Sequence, residues 1–327
     1  MSQMKKAIHI YQRSVKGDVI FYTLQDFLVF YTYVSEYARK YRVKILGLAI
    51  MYNHYHLLVE AGSRNEVKAF ISACTAGFSR VYNEGLGIKG NLFQSPFGSA
   101  MKFGDKNIRT AAGYLYNNHT NKKLCEKAEA IRWNFLAYAH DSHPFSEPVR
   151  LKAASRPLRS ALKEVDANRK VKKPLNYATL RRLYKPLGKE EKEQLTDYII
   201  SVYNAIDYSA LESLYRSYED MLYSFNANTF NEYDISEDAE ERTGDDRIYN
   251  SLAKQILASG EFASVKDILK LSEDERFRLA LVLRARTGAS YKQIGSYLHL
   301  KITRVSNVIK GEEARAFLEA MSNQEPE

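Results

Sequence analysis

Two histidines separated by one residue, His54 and His56, are the first candidates for chemistry in this sequence. The apolar run 45–50 precedes them, and both flanks have the composition of β-strands. Tyr52 and Asn53 are predicted to form the turn between these strands, because Asn tolerates the backbone of a tight hairpin. Successive side chains of a strand point to opposite faces, so both imidazoles point the same way. Two imidazoles on a rigid strand are half of a divalent-metal site, and a pair of structural histidines is the plainer alternative.

A tyrosine and an asparagine further along the chain could complete such a site. Tyr114 and Asn118 are four residues apart and share one helix face, whereas Tyr116 lies on the opposite flank. Each would be a packing or helix-end residue if it stood alone. Brought up against the imidazole pair, the phenol and the amide would form a metal site with a nucleophile beside it. The metal would polarise a phosphate oxygen, and the tyrosine would attack phosphorus in line.

The elements that must hold these residues follow the order of an α+β domain. Helical spacing after Thr23, with Asp26 as its capping partner, predicts a first helix between an alternating N-terminal strand and the hairpin. A second helix over 67–85, a fourth strand at 100–103 and a third helix over 106–118 follow. Strand, helix, two strands, helix, strand, helix is typical of a ferredoxin-like antiparallel sheet, and we expect its helices on one face.

The remainder of the chain has a different composition. Residues 141–188 are basic and rich in proline, which predicts a linker with short helices after a first domain over residues 1–140. Residues 189–246 are predicted to form a helical segment that ends in an acidic loop. Residues 247–327 are predicted to form an all-α domain.

Two short helices in the last domain, 290–298 and 302–310, are joined by a turn at Leu300 and Lys301. The pair resembles the helix-turn-helix of region-four sigma-factor and related regulator domains. The resemblance implies that the second helix enters the major groove of duplex DNA. An ordinary three-helix bundle is the alternative, and the basic and amide side chains grouped on one helix favour DNA binding. The residues expected near DNA are Lys301, Thr303, Arg304, Asn307 and Lys310.

Composition limits the class of protein. The chain has 327 residues, of which 45% are hydrophobic, so it can bury a sizeable core. Its net charge of +9 favours a polyanionic partner. Cys74 and Cys125 are the only cysteines, so no disulfide framework is expected. No stretch resembles a signal peptide or a membrane span, and we expect a cytoplasmic protein without a membrane partner.

Four stretches together resemble the single-tyrosine HUH transposases, in particular the REP-associated tyrosine transposases. The stretch 51–59 is similar to the HUH motif, and 90–97 is similar to the family's Gly-x-Leu-Phe-Gln-x-x-Phe loop. The stretch 114–118 lies where the family has a Tyr-Ile-x-x-Asn helix, and 133–138 where it has Trp-Ser-Ser-x-x-x-Tyr. Four motifs in the right order, across residues 7–140, are far more specific than any one of them.

The resemblance implies an HUH endonuclease fold and assigns roles to the candidate residues. Tyr114 would be the nucleophile, and His54, His56 and Asn118 would bind Mg²⁺ or Mn²⁺. The implied reaction cleaves single-stranded, often hairpin-forming DNA to a 5′-phosphotyrosine and a free 3′-hydroxyl, and then rejoins it. Where the family has proline, this sequence has Tyr52 and His119. We expect Tyr52 to alter only the turn, and His119 to extend the helix as a structural or solvent-facing residue.

Cations and aromatic residues near these motifs are candidate DNA contacts, because cations bind phosphates and rings stack on unpaired bases. Each has a plainer alternative as a solvated cation or a core ring. The candidates are Arg80, Lys89, Phe93, Phe97, Lys102 and Arg109. The three histidines His9, His140 and His143 are expected to be structural.

Two other functions stay open. A catalytically inactive, site-specific DNA-binding regulator derived from a transposase would bind intact duplex without cleaving it, but Tyr114, Asn118 and both histidines are still present. A metal-dependent hydrolase of small phosphate esters would leave the basic segment and the helix-turn-helix without a purpose. The family resemblance allows either a monomer or a homodimer.

Overall fold

The computed structural model describes residues 6–227 and 244–310, and for residues 308–310 it describes only the helical backbone. The N-terminal elements follow the predicted order. They are β1 (Lys6–Arg13), α1 (Leu24–Lys40), β2 (Lys44–Ile50), β3 (His54–Glu60), α2 (Arg64–Leu86), β4 (Gly98–Phe103) and α3 (Gly104–Asn121). The third helix is longer than expected, and His119 extends it beyond Asn118.

The four strands form one antiparallel sheet in the order β2-β3-β1-β4, which is the ferredoxin-like order. The predicted α+β class is therefore confirmed, but the expectation of helices on one face is wrong. Ile8 and Ile10 of β1 pack in the cluster that contains α1 and α2, whereas Ala7 and Leu46 pack against α3 on the other face. Apolar residues at both odd and even strand positions require cover on both faces.

Local signals explain where the first helices begin and end. Thr23 and Asp26 form the expected capping box at the start of α1. Ser63 and Glu66 form another at the start of α2, and α2 ends at Gly87, whose φ of 68° is left-handed.

The middle of the chain is helical and packs on the sheet domain. It contains α4 (Arg156–Lys170), α5 (Tyr177–Tyr184), α6 (Lys189–Tyr203), α7 (Tyr208–Glu212) and α8 (Tyr218–Ala227). Helices α4, α5 and α6 share one apolar cluster with α1. The carboxylate of Asp197 on α6 is fully buried and accepts a hydrogen bond of 2.6 Å from Tyr138. The predicted boundaries at residues 140, 188 and 246 stay predictions, and most of the predicted acidic loop, 228–243, lies outside the described residues.

The last described elements are α9 (Arg247–Ala258), α10 (Glu273–Thr287), α11 (Tyr291–Leu298) and α12 (Ile302–Lys310), with a short 3-10 helix at Val265–Lys270. They form an all-α C-terminal region, as predicted. Its apolar cluster includes Val19 and packs against Tyr22 and Tyr52 of the sheet domain. Within the described part of the chain, no helix has the length and apolar character needed to cross a bilayer.

Candidate metal and nucleophile site

Strand β3 presents the two histidines on one face of the sheet. The ring centroids of His54 and His56 lie 5.1 Å apart, with their planes at 85°. His56 is opposite Ala49 in the β2–β3 pairing, and Ala49 belongs to the apolar cluster of α3. Both imidazoles are buried. The imidazole pair therefore faces the helix that carries the candidate nucleophile.

The residue before His54 determines the proton position on its ring. Nδ1 of His54 lies 2.7 Å from Oδ1 of Asn53, and Nδ2 of Asn53 donates to the Gly17 carbonyl over 3.0 Å. An amide oxygen can only accept, so Nδ1 of His54 carries the proton and donates it. A metal would then bind through Nε2 of His54.

A third histidine contacts His56. Nε2 of His9, on β1, lies 3.2 Å from Nδ1 of His56, and both rings are fully buried. Sequence reasoning assigned His9 a structural role, and the structure places it inside the site. Alternation along β1 puts His9 and Tyr11 on one face, but only the β1–β3 register brings that face beside His56.

Helix α3 brings Tyr114 to the imidazoles. The ring centroid of Tyr114 lies 5.6 Å from that of His56 and 5.7 Å from that of His9, in edge-on contacts. The phenol is 2% exposed. Tyr116 lies on the other flank, as predicted, where it stacks on Phe225 at 5.1 Å. Of the two tyrosines on this helix, only Tyr114 can therefore serve the imidazole site.

Asn118 follows Tyr114 by one helical turn and is 4% exposed. Its Nδ2 donates to the carbonyl of Tyr114 over 3.0 Å, so its Oδ1 is the atom that could bind a metal. Among the described residues, no three His, Cys, Asp or Glu side chains are grouped so that they could hold a metal ion. A metal beside His54 and His56 would therefore need oxygen ligands from an amide, water or substrate.

His119 is buried against the hairpin and is not solvent-facing. Its Nε2 donates to the carbonyl of Ile50 over 3.1 Å. The pKa of His119 is lowered to about 4, mainly by burial and to a smaller extent by the neighbouring His56, whereas the Ile50 hydrogen bond acts in the opposite direction. The imidazole is therefore neutral at physiological pH, and its contact with Ile50 fastens the end of α3 to β2.

Tyr11 is a second aromatic residue that sequence reasoning missed. Its ring centroid lies 5.4 Å from that of His54 and 5.0 Å from that of His56. The side chain is half-buried. The loop 90–97 borders the same region, because Gln94 N donates to the carbonyl of Arg13 at the end of β1 over 2.8 Å.

The candidate DNA contacts near the site divide by exposure. Lys89 is exposed in the loop after α2, and Phe97 is half-buried. Arg80 is exposed but lies beside Tyr33, on the α1–α2 side of the sheet, away from the imidazoles. Phe97 packs against the apolar cluster of α1 and α2, so it too lies on the side of the sheet away from the imidazoles. Lys89 stays a candidate DNA contact because it is exposed.

Three of these candidates are engaged inside the protein. Phe93 is 6% exposed and lies among the core rings of Phe30 and Tyr55, so it offers no face to a base. Arg109 donates to the Leu214 carbonyl over 3.0 Å. Lys102 is 6% exposed and is opposite Ala7 in the β1–β4 pairing. It therefore lies on the face of the sheet that carries the imidazoles. Phe93 and Arg109 are thus structural, and Lys102 is a buried cation on the site face.

The C-terminal candidates lie on α12 and the turn before it. Lys301, Thr303 and Asn307 are exposed. Arg304 is instead held on α10, where it forms a 2.7 Å ion pair with Glu273. The side chain of Lys310 lies outside the described residues. The helix-turn-helix assignment stays a prediction.

The ferredoxin-like sheet thus brings an imidazole pair against a tyrosine on a separate helix. Residues 11–118 match the model of the IS200-like transposase family, which confirms the resemblance drawn from the motifs and supports a transposase-like, DNA-processing enzyme. Among solved structures, a REP-associated tyrosine transposase bound to a REP hairpin is similar over 42% of this chain and 79% of its own, at 12% identity and a TM-score of 0.33. No match was found among curated proteins.

Proposed function

We propose that this protein cleaves and rejoins single-stranded DNA, with Tyr114 as the nucleophile and a divalent metal at His54, His56 and Asn118. The observation that carries the proposal is the contact of Tyr114 with the imidazoles. Its ring centroid lies 5.6 Å from that of His56, although the two residues are on different elements. The sequence similarity of residues 11–118 to IS200-like transposases supports the same reaction class.

The donor set is compatible with the proposed metal. Two imidazole nitrogens and one amide oxygen suit Mn²⁺, which accepts both kinds of donor, better than Mg²⁺, which prefers oxygen ligands. When bound, the metal would polarise a non-bridging phosphate oxygen.

The residues of the chain supply the remaining chemistry. The oxygen of Tyr114 attacks phosphorus, its proton is lost, and the bond from phosphorus to the 3′-oxygen breaks. The released 3′-oxygen takes up a proton, and the reverse attack by a 3′-hydroxyl rejoins the strand. Because the phenol is 2% exposed, DNA binding must displace the groups that cover it.

The DNA is proposed to contain both unpaired and duplex segments. The exposed Lys89 suits contact with a single strand, since cations bind phosphates. The exposed residues Lys301, Thr303 and Asn307 suit duplex contact by α12 as a recognition helix. A hairpin with a single-stranded extension offers both segments in one molecule.

The test is formation of a covalent adduct between the full-length protein and labelled hairpin DNA in the presence of Mn²⁺. A denaturing gel should show a shifted protein band, and mass spectrometry should place the nucleotide on the peptide that contains Tyr114. Tyr114→Phe should abolish the band. Tyr116→Phe is the matched control and should retain it, because the Tyr116 hydroxyl makes only a 3.4 Å contact with the Leu46 carbonyl.

Two outcomes would contradict the proposal. Loss of the adduct in Tyr116→Phe but not in Tyr114→Phe would show that the nucleophile is misassigned. Tight binding of duplex DNA with no adduct under any metal would favour the inactive, site-specific DNA-binding regulator instead.

A further inference from the structure

We propose that His9 and Asn53 are positioning residues that turn the two candidate metal ligands so that Nε2 of His54 and of His56 faces the metal. This inference rests on the proposed function, and its test is designed so that the two can fail separately. Each residue lies against Nδ1 of one histidine, at 3.2 Å for His9 with His56 and at 2.7 Å for Asn53 with His54.

Asn53 is held in one orientation by the loop after β1. Its Nδ2 donates to the Gly17 carbonyl over 3.0 Å, so an amide flip would place two acceptors together. The same carbonyl accepts a 2.6 Å hydrogen bond from Oγ of Ser296 on α11. Gly17 has a φ of +73°, a backbone conformation that favours glycine. Oδ1 of Asn53 therefore points at His54, and the C-terminal region helps to hold it there.

The tautomer of His56 follows by elimination from its contact with His9 and from the proposed metal at its Nε2. One proton must lie between Nε2 of His9 and Nδ1 of His56 for the 3.2 Å contact to be a hydrogen bond. If Nε2 of His56 binds a metal, its lone pair is needed there, so the proton must be on Nδ1 of His56. Nε2 of His9 is then the acceptor. The His9 ring also contacts Tyr114, so the rings of His9, His56 and Tyr114 are all in mutual contact.

The first test measures the tautomers directly, in metal-free full-length protein. The chain has seven histidines, and single His variants would assign their ¹⁵N resonances. We expect protonated Nδ1 in His54 and His56, and an unprotonated Nε2 in His9. An Nε2-protonated tautomer of His56 or His54 in the metal-free protein would overturn the inference, whatever the protein does to DNA.

The second test measures Mn²⁺ affinity by electron paramagnetic resonance. His9→Phe and Asn53→Ala should weaken binding by about 10-fold to 100-fold, as is usual when the partner of a metal-bound histidine is lost. His9→Gln should restore most of the affinity, because its Oε1 can accept from Nδ1 of His56. His140→Gln is the control, since it removes an imidazole that is exposed and paired with Glu212.

The results separate positioning from packing and from the proposed function. Wild-type affinity in His9→Phe, or affinity in His9→Gln as low as in His9→Phe, would overturn the positioning role of His9. If His54→Ala and His56→Ala leave Mn²⁺ binding unchanged, the proposed metal site fails. In that case the tautomers of His54 and His56 in the metal-free protein still show whether Asn53 and His9 orient the two rings as proposed.

Discussion

The ammonium group of Lys266 lies 2.6 Å from Oδ1 of Asp26, and both side chains are buried. Lys266 belongs to the C-terminal region, whereas Asp26 caps the start of α1. The same ammonium lies 3.8 Å from the ring centre of Tyr82 on α2 and 4.4 Å from that of Tyr177 on α5. The Lys266 ammonium therefore contacts three helices, α1 and α2 of the sheet domain and α5 of the middle segment. The junction between these helices and the C-terminal region thus contains a buried polar contact.

Replacing this cation should destabilise the whole protein. Lys266→Met would leave the Asp26 carboxylate buried without its counter-charge, which typically costs about 3 kcal/mol or more. The Tyr177 hydroxyl still donates to Asp26 over 2.7 Å, so we expect the lower end of that range. Urea unfolding followed by circular dichroism measures the change. Lys270→Met is the control, because its ion pair with Asp267 is exposed and should contribute less than about 1 kcal/mol. Equal effects of both variants would contradict the role of Lys266.

A second junction contact should make stability depend on pH. Nε2 of His299 donates to the Val19 carbonyl over 2.6 Å. The pKa of His299 is lowered from 6.5 to about 4, mainly by burial and to a smaller extent by Arg276 and Lys16, whereas the Val19 hydrogen bond acts in the opposite direction. The unfolded chain therefore takes up a proton more readily than the folded one. The contribution of His299 is fully present above pH 6.5 and is lost as the pH falls toward 4.

His299→Gln tests this dependence, because glutamine keeps an N–H donor and does not titrate. Asp18 and Asp246 have pKa values raised to about 6, mainly by burial, and their contribution is lost in the opposite direction, as the pH rises. The difference between wild type and variant isolates His299. Between pH 7 and pH 4, wild type should lose up to about 3 kcal/mol more than the variant. Parallel curves of unfolding free energy against pH would contradict the prediction.

Local sequence patterns were sufficient to predict which strand and helix faces carry the candidate site residues. Alternation placed His54 and His56 on one face, and four-residue spacing placed Tyr114 and Asn118 on one side of α3. The α1 cap followed from Thr23 and Asp26. These features depend only on the backbone period and on neighbours in sequence, so a single sequence contains them.

The remaining features depend on contacts between distant residues. His9 reaches His56 only through the register of β1 with β3, and nothing near His9 in sequence specifies that register. Phe93 was predicted to stack on a base, but it is buried because its ring packs against Phe30 of α1. The contact of Lys266 with Asp26 spans 240 positions and could not be predicted from local pattern.

Binding of duplex DNA should distinguish Lys301 from Arg304. Lys301 is exposed in the turn before α12, so Lys301→Ala should weaken duplex binding and reduce the slope of log K against log salt by about 1. Arg304 is paired with Glu273 at 2.7 Å, so Arg304→Ala should leave that slope unchanged. Fluorescence anisotropy across a salt series measures both. A reduced slope in Arg304→Ala would contradict this prediction, because it would mean that the ion pair with Glu273 opens and that Arg304 contacts phosphate.

Tyr11 should contribute to binding of the single strand and not to the chemical step. Its ring centroid lies 5.0 Å from that of His56 and its side chain is half-buried, so one face can stack on a base beside the scissile phosphate. Stacking contributes about 1–3 kcal/mol per base, so Tyr11→Leu should raise KM by about 10-fold or more and change kcat little. Tyr11→Phe keeps the ring, so its KM and its covalent adduct should match wild type. The Mn²⁺ affinity of Tyr11→Leu, measured in parallel, should also match wild type, because a loss there would mean that Tyr11 supports the imidazoles instead. Failure of Tyr11→Phe to form the adduct would show that the Tyr11 phenol takes part in cleavage.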